Sequence, residues 1–242
     1  NPKFSSLNFK LALWNASNNE TASTSNPVRF IAYGDNPYVQ EKDVKKAIRG
    51  LLDAISIKNP SLIIHVGDTF GGAQPCTNSM LDLQRELMNS LHGPVLYTPG
   101  DNEWRDCFDK IKGETHNLDR LAYIRNTYFS NQQTLGRNPS SVENQGMHGY
   151  PENARLMIDD VAFITAHVVG SMNNFDPMSK KNTLEYFDRD AANIDWVTAS
   201  FKEYENANAY VVAMHADMSI PFAPHFHRFG SALLELSNKY QK

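Results

Sequence analysis

Four side chains in this sequence have the types and the placement to hold cations. Asp35, Asp68 and Asp101 each follow a glycine that ends an apolar stretch, and they recur 33 residues apart. A histidine, His215, closes a fourth apolar stretch. Ligands of open α/β sheets bind beyond the carboxyl ends of the strands, so these four side chains converge on one sheet edge if their strands are neighbours. Three carboxylates in a partly desolvated site repel one another strongly. Bound divalent cations are the simplest compensation, and a mixed oxygen and nitrogen donor set suits Zn, Mn or Fe. The preceding Gly34, Gly67 and Gly100 allow a sharp turn and a close approach at each strand end. Any one of the aspartates alone reads as a helix N-cap or turn residue; the ordered set reads as a metal site.

The elements that must position these residues follow from apolar periodicity. Residues 28–33, 61–66 and 94–97 read as buried strands. Between them lie helices over 41–58, where Val44, Ala47, Ile48, Leu51, Leu52 and Ile55 recur at helical spacing, and over 78–91. This β-α-β-α-β order requires parallel strands joined by crossover helices. Further on, the pattern predicts a helix over 118–129, a long polar surface loop over 130–154, and a hairpin of 155–158 and 161–168 around Asp159-Asp160. An amphipathic helix over 186–205, a strand over 210–214 and a last helix over 229–240 follow. Residues 9–14 read as a short strand and 15–26 as a flexible polar loop with N-x-[ST] sequons at Asn15 and Asn19. The chain therefore divides into an N-terminal strand and loop, 1–27, and one domain, 28–242.

In Gly34-Asp35-Asn36, Gly67-Asp68-Thr69, Gly100-Asp101-Asn102-Glu103 and Met214-His215, the sequence resembles the calcineurin-like metallophosphoesterase superfamily. The first motif has Pro37 where a histidine is usual, and in this it is similar to the purple acid phosphatase branch. The resemblance implies an α/β fold of two packed mixed β-sheets flanked by helices, and hydrolysis of a phosphate ester at two divalent metal ions. Asp35 would bind the first ion, Asp68 would bridge both, and Asp101 and His215 would bind the second. Asp101 stands where the family has an asparagine. Asn102 stands where it has a histidine that assists the leaving group or contacts phosphate. Asparagine can donate a hydrogen bond to a phosphoryl oxygen but cannot deliver a proton near neutral pH. Asn102 and Glu103 are the catalytic candidates of this motif. The family's Gly-His-x-His comes one helix and one strand after the His215 position, so the domain as given is expected to lack its C-terminal end. Pro224-His225-Phe226-His227 has His-x-His spacing, which in an extended segment puts both rings on one face. The departures at Asp101, Asn102 and the end keep a second reading open, a catalytically impaired relative acting as a binding or interaction protein.

His65, inside an apolar strand, reads as structural; Trp196 reads as core; Trp104 either walls the site or packs. The loop Gly170-Ser171-Met172-Asn173-Asn174, just after His167, borders the site. Cys76 and Cys107 follow the second and third motifs, in loops that the resemblance brings together. They are either a disulfide, which would favour a secreted or periplasmic location, or two free thiols packed as small hydrophobes. A net charge of −4 and no basic track exclude a nucleic-acid surface. No apolar run approaches the ~18 residues of a membrane span. The expected partner is a small-molecule or protein phosphoester substrate.

Overall fold

The computed structural model describes residues 27–107, 116–218 and 224–241. The expected strand over 9–14 and the loop over 15–26 with its two sequons lie outside the described residues. The three apolar runs form β1 (Phe30–Tyr33), β2 (Leu62–His65) and β3 (Val95–Tyr97), a parallel sheet in the order β1-β2-β3. Its register aligns Tyr33 with His65 and His65 with Tyr97, so the three strands end level with one another. The crossovers are α1 (Glu41–Lys58) and α2 (Asn78–Asn89), followed by α3 (Asn117–Tyr128). Val44, Ile48, Leu52 and Ile55 of α1, Leu81 and Met88 of α2, and Leu121 and Ile124 of α3 bury against one face of this sheet. Each such side chain contributes roughly 1.5–3 kcal/mol relative to its exposed state.

The second sheet has the order β4-β5-β6-β7: β4 (Glu143–Gln145), β5 (Tyr150–Ile158), β6 (Val161–Thr165) and β7 (Ala209–Ala213). Its first two pairings are antiparallel and β6 pairs with β7 in parallel. Leu62, Ile64 and Leu96 of the first sheet meet Leu156 and Phe163 of the second in a shared core. On the outer face of the second sheet, α4 (Lys180–Glu203) and α5 (His227–Tyr240) pack through Trp196, Val197, Phe201, Phe229 and Leu236. The fold is thus two packed sheets between helical layers, as the resemblance implied, with the first sheet wholly parallel.

Three local expectations are corrected. Residues 130–154 are not one surface loop: they hold β4, and β5 begins at Tyr150 rather than at 155. The polarity of Gln145, Glu152 and Asn153 misleads because it is buried and paired. Asn153 donates to Gln145 Oε1 and Asn193 Oδ1, each over 2.8 Å, and Glu152 binds Arg125 and His167. Helix α4 starts six residues before the apolar stripe does; Ser179 caps it, accepting the Asn182 N–H. Pro224–Phe226 is a 3-10 turn leading into α5, and His225 stacks on Phe175. The His-x-His spacing there is not displayed on an extended face.

Candidate metal centre

The level ends of β1, β2 and β3 carry their three aspartates into adjacent loops, and two glycines set how close those loops come. A Cβ on Gly67, whose φ is +90°, would overlap the backbone of Gly100, and a Cβ on Gly100 would overlap the Asp68 carboxylate. No other residue allows this approach. Asp35 and Asp68 themselves adopt left-handed backbone, with φ of 51° and 54°, a conformation that aspartate tolerates better than most residues. The Asp35 and Asn36 amides donate to the carbonyls of Gly67 and Asp68, joining the first loop to the second.

Asp68, Asp101 and His215 each offer a ligand atom, and these atoms lie within 4.8 Å of one another. His215 Nε2 is 3.0 Å from Asp101 Oδ1 and 3.5 Å from Asp68 Oδ1. Its Nδ1 donates to the Val66 carbonyl over 2.8 Å. That bond fixes the ring and leaves Nε2 aimed at the carboxylates, the usual support of a ligating histidine. Asp68 faces two ways. Its Oδ1 turns toward His215, while its Oδ2 accepts from Asn102 Nδ2 at 2.6 Å and lies 3.2 Å from the Tyr38 hydroxyl. The same hydroxyl is 3.0 Å from Asp35 Oδ1. Asp35 is exposed and stands outside the three-residue group, connected to it through Tyr38. The donor set suits a divalent cation, since it holds two carboxylates and one imidazole nitrogen within a few ångströms.

Without a cation these groups compete for protons. Burial and then the Glu103 charge push Asp68 up to about 7. Burial would lower His215, but its bond to Asp101 and the Asp68 charge outweigh that and raise it to about 9. Asp101 is pulled down overall: burial opposes, and the bonds from His215 and Ser171 win. Burial and the two neighbouring carboxylates raise the Tyr38 phenol, so it stays protonated and donates.

The residues around the cluster divide by what they touch. Glu103 is fully buried and accepts the backbone amides of Asp68, Thr69 and Gly100 at 3.2, 2.6 and 3.0 Å. It ties the second loop to the third. Asn102 directs its amide at Asp68 Oδ2 and the Tyr38 hydroxyl. His65 is buried; its Nδ1 accepts the Gly67 amide, and burial lowers it to about 3, so it is neutral and structural. Trp104 is buried against the His167 ring and beneath the Arg189 guanidinium, so it packs rather than walls the site. Cys76 and Cys107 form a disulfide that closes the loops after the second and third motifs on each other. Two contacts of the cluster lie outside the sequence motifs. Tyr38 had a signal, three residues past Asp35 in the same strand-end loop. Ser171, in the loop expected to border the site, donates to Asp101 Oδ2 at 2.5 Å.

No protein-family model matches the sequence, and no curated protein matches it. Among solved structures, a dimetal phosphatase from Danio rerio superposes with a TM-score of 0.55 at 12% identity, covering 89% of this chain and 79% of that one. This chain has the fold of a dimetal phosphatase. GAP50, the anchor in the inner membrane complex of Plasmodium, aligns at a TM-score of 0.48 and 12% identity over 88% of this chain and 63% of that one. Among the described residues no helix is long and apolar enough to cross a membrane.

Proposed function

We propose that this chain is a metal-dependent phosphoesterase. The observation that carries the reading is the convergence of Asp68, Asp101 and His215 at the strand ends of a fold shared with a dimetal phosphatase. When bound, divalent ions supply Lewis acidity toward a phosphoryl oxygen and activation of water. Asp68, Asp101 and His215 would hold one ion. Asp35 and the second oxygen of Asp68 would serve another, with Asp68 as the bridge. Fe, Mn or Zn suits these donors.

The remaining residues prepare the site. Val66 fixes the His215 tautomer, Asn102 orients Asp68, and Glu103 holds the loop amides that carry both aspartates. Preorganised charge of this kind accounts for most catalysis of phosphoryl transfer. The substrate class is a phosphate ester, on a small molecule or a protein. A disulfide is at home in an oxidising compartment, which supports a secreted or periplasmic location.

One observation favours a second reading, a catalytically impaired relative that binds a ligand or partner. The Tyr38 hydroxyl sits between Asp35 and Asp68, and the Asn102 donors are engaged by Asp68 and Tyr38 rather than presented to a substrate. Hydrolysis of an aryl phosphate in the presence of Mn²⁺, Zn²⁺ or Fe²⁺ separates the two. Turnover abolished by a chelator and by Asp68→Asn supports the esterase. A protein that binds metal yet turns over neither phosphomonoester nor phosphodiester supports the impaired relative.

A further inference from the structure

The segment after β6 has a backbone that its sequence does not favour. Ser171, Met172, Asn173 and Asn174 are four consecutive non-glycine residues with φ between 48° and 65°. A left-handed turn of L-residues persists only where its surroundings hold it, and here they do. Arg189 of α4 is fully buried and donates to Asn173 Oδ1 at 2.8 Å and to the Asn173 carbonyl at 2.9 Å. The Val169 amide donates to Asn173 Oδ1. Asn174 is held from both sides, by Asn117 of α3 and by Glu185 of α4.

The turn delivers one side chain to the cluster. Ser171 Oγ lies 2.5 Å from Asp101 Oδ2 and 3.3 Å from Asp106 Oδ1, so its single proton goes to Asp101. The backbone presses on the same carboxylate: a Cβ on Gly170 would lie 2.8 Å from Asp101 Oδ1 and 3.0 Å from Oδ2. Asp101 therefore has one oxygen capped by Ser171 and the other directed at His215 Nε2.

Resting on the metal-site reading above, we infer that Ser171 is a positioning residue that makes Asp101 a one-oxygen ligand. An aspartate free to swing can chelate an ion through both oxygens. With Oδ2 bound to the Ser171 hydroxyl, only Oδ1 is presented, and Asp101 offers what an asparagine side chain would offer at this position. The buried network of Arg189, Asn173, Asn174 and Asn117 holds the turn that carries that hydroxyl.

The test is titration of the purified chain with Mn²⁺ or Zn²⁺ by calorimetry, beside a thermal melt of the metal-free protein, for the wild type, Ser171→Gly and Ser171→Ala. Glycine suits the left-handed backbone, which offsets the lost bond to Asp101, so Ser171→Gly should melt close to the wild-type temperature. It should nonetheless bind the ion about tenfold more weakly, the usual effect of losing a partner of a metal ligand. Ser171→Ala, which keeps the backbone strain, should lose the same affinity. A residue that merely stabilised the turn would not separate affinity from stability in this way. If the wild type binds and both variants bind within twofold of it, the inference is overturned while the metal site stands. A wild type that binds neither ion overturns the metal-site reading and this inference with it.

Discussion

Asn102 and Asp68 come from different strand-end loops, and the amide of the first lies 2.6 Å from Oδ2 of the second. Asn102 also supplies its backbone N–H to Asp68 Oδ1, so one residue fixes both oxygens of the central carboxylate. Removing the side-chain amide should loosen Oδ2 while the backbone N–H still holds Oδ1. Asn102→Ala is expected to weaken divalent-metal affinity by roughly 10- to 100-fold while the far-ultraviolet spectrum stays native. Calorimetric titration checks this, and an unchanged affinity would mean that Asp68 is oriented by its surroundings without Asn102.

Glu103 should act on stability rather than on substrate. Its buried carboxylate accepts three backbone amides, and burial raises its pKa. Glu103→Gln places an amide N–H against donors that need an acceptor. A loss of about 2–4 kcal/mol is expected, read from the urea midpoint at pH 7. A midpoint equal to the wild type, combined with lost turnover, would instead assign Glu103 to the chemistry.

How much was legible in the sequence depended on which contacts are local. The strand ends are legible because an apolar run that stops at Gly-Asp marks its own end, and both ends of α1 are legible because its apolar spacing is regular. Glu152 and Asn153 were not legible as strand residues, since polar side chains inside a strand make sense only once Arg125, His167 and Asn193, all distant in sequence, are in place. The same holds at the site. Asp35, Asp68 and Asp101 announce themselves by repetition, whereas Ser171 reaches Asp101 through a backbone turn held by Arg189, which no local pattern encodes.

His167 supplies a pH dependence of folding. It is buried on β6's exit, its Nδ1 is 2.8 Å from Glu152 of β5, and Arg189 of α4 and Arg125 of α3 face it. Burial is the main cause of its fall to about 4, aided by the two arginines and opposed by Glu152. The unfolded histidine takes up a proton near pH 6.5 while the folded one does not until about 4. Its contribution is therefore complete above pH 6.5 and lost as pH falls from 6.5 through 4, on the order of 3 kcal/mol. Asp68, raised to about 7, titrates in the opposite sense, so the comparison must be with a variant. His167→Asn, which keeps a donor for Glu152, should show a smaller drop in urea midpoint between pH 7 and pH 4.5 than the wild type. Equal drops would show that His167 does not titrate across folding.

The Cys76–Cys107 disulfide closes a loop with a sequence separation of 31. On chain-entropy grounds it should contribute about 3–4 kcal/mol. The double variant Cys76→Ser/Cys107→Ser should lose that much in denaturant unfolding. Intact protein from its native source, denatured without reductant, should resist alkylation; two freely alkylated thiols would remove both the bridge and the support it lends to an exported location.

In the reading proposed above, the strand-end cluster binds divalent metal. Its most direct measurement is calorimetric titration of the metal-stripped chain with Mn²⁺ and Zn²⁺, in parallel with Asp68→Asn, whose amide is a poor partner for cations. Saturable binding to the wild type and its loss in Asp68→Asn, with both proteins folded, are expected. Absence of binding in the wild type, or binding of equal strength in Asp68→Asn, would contradict the reading.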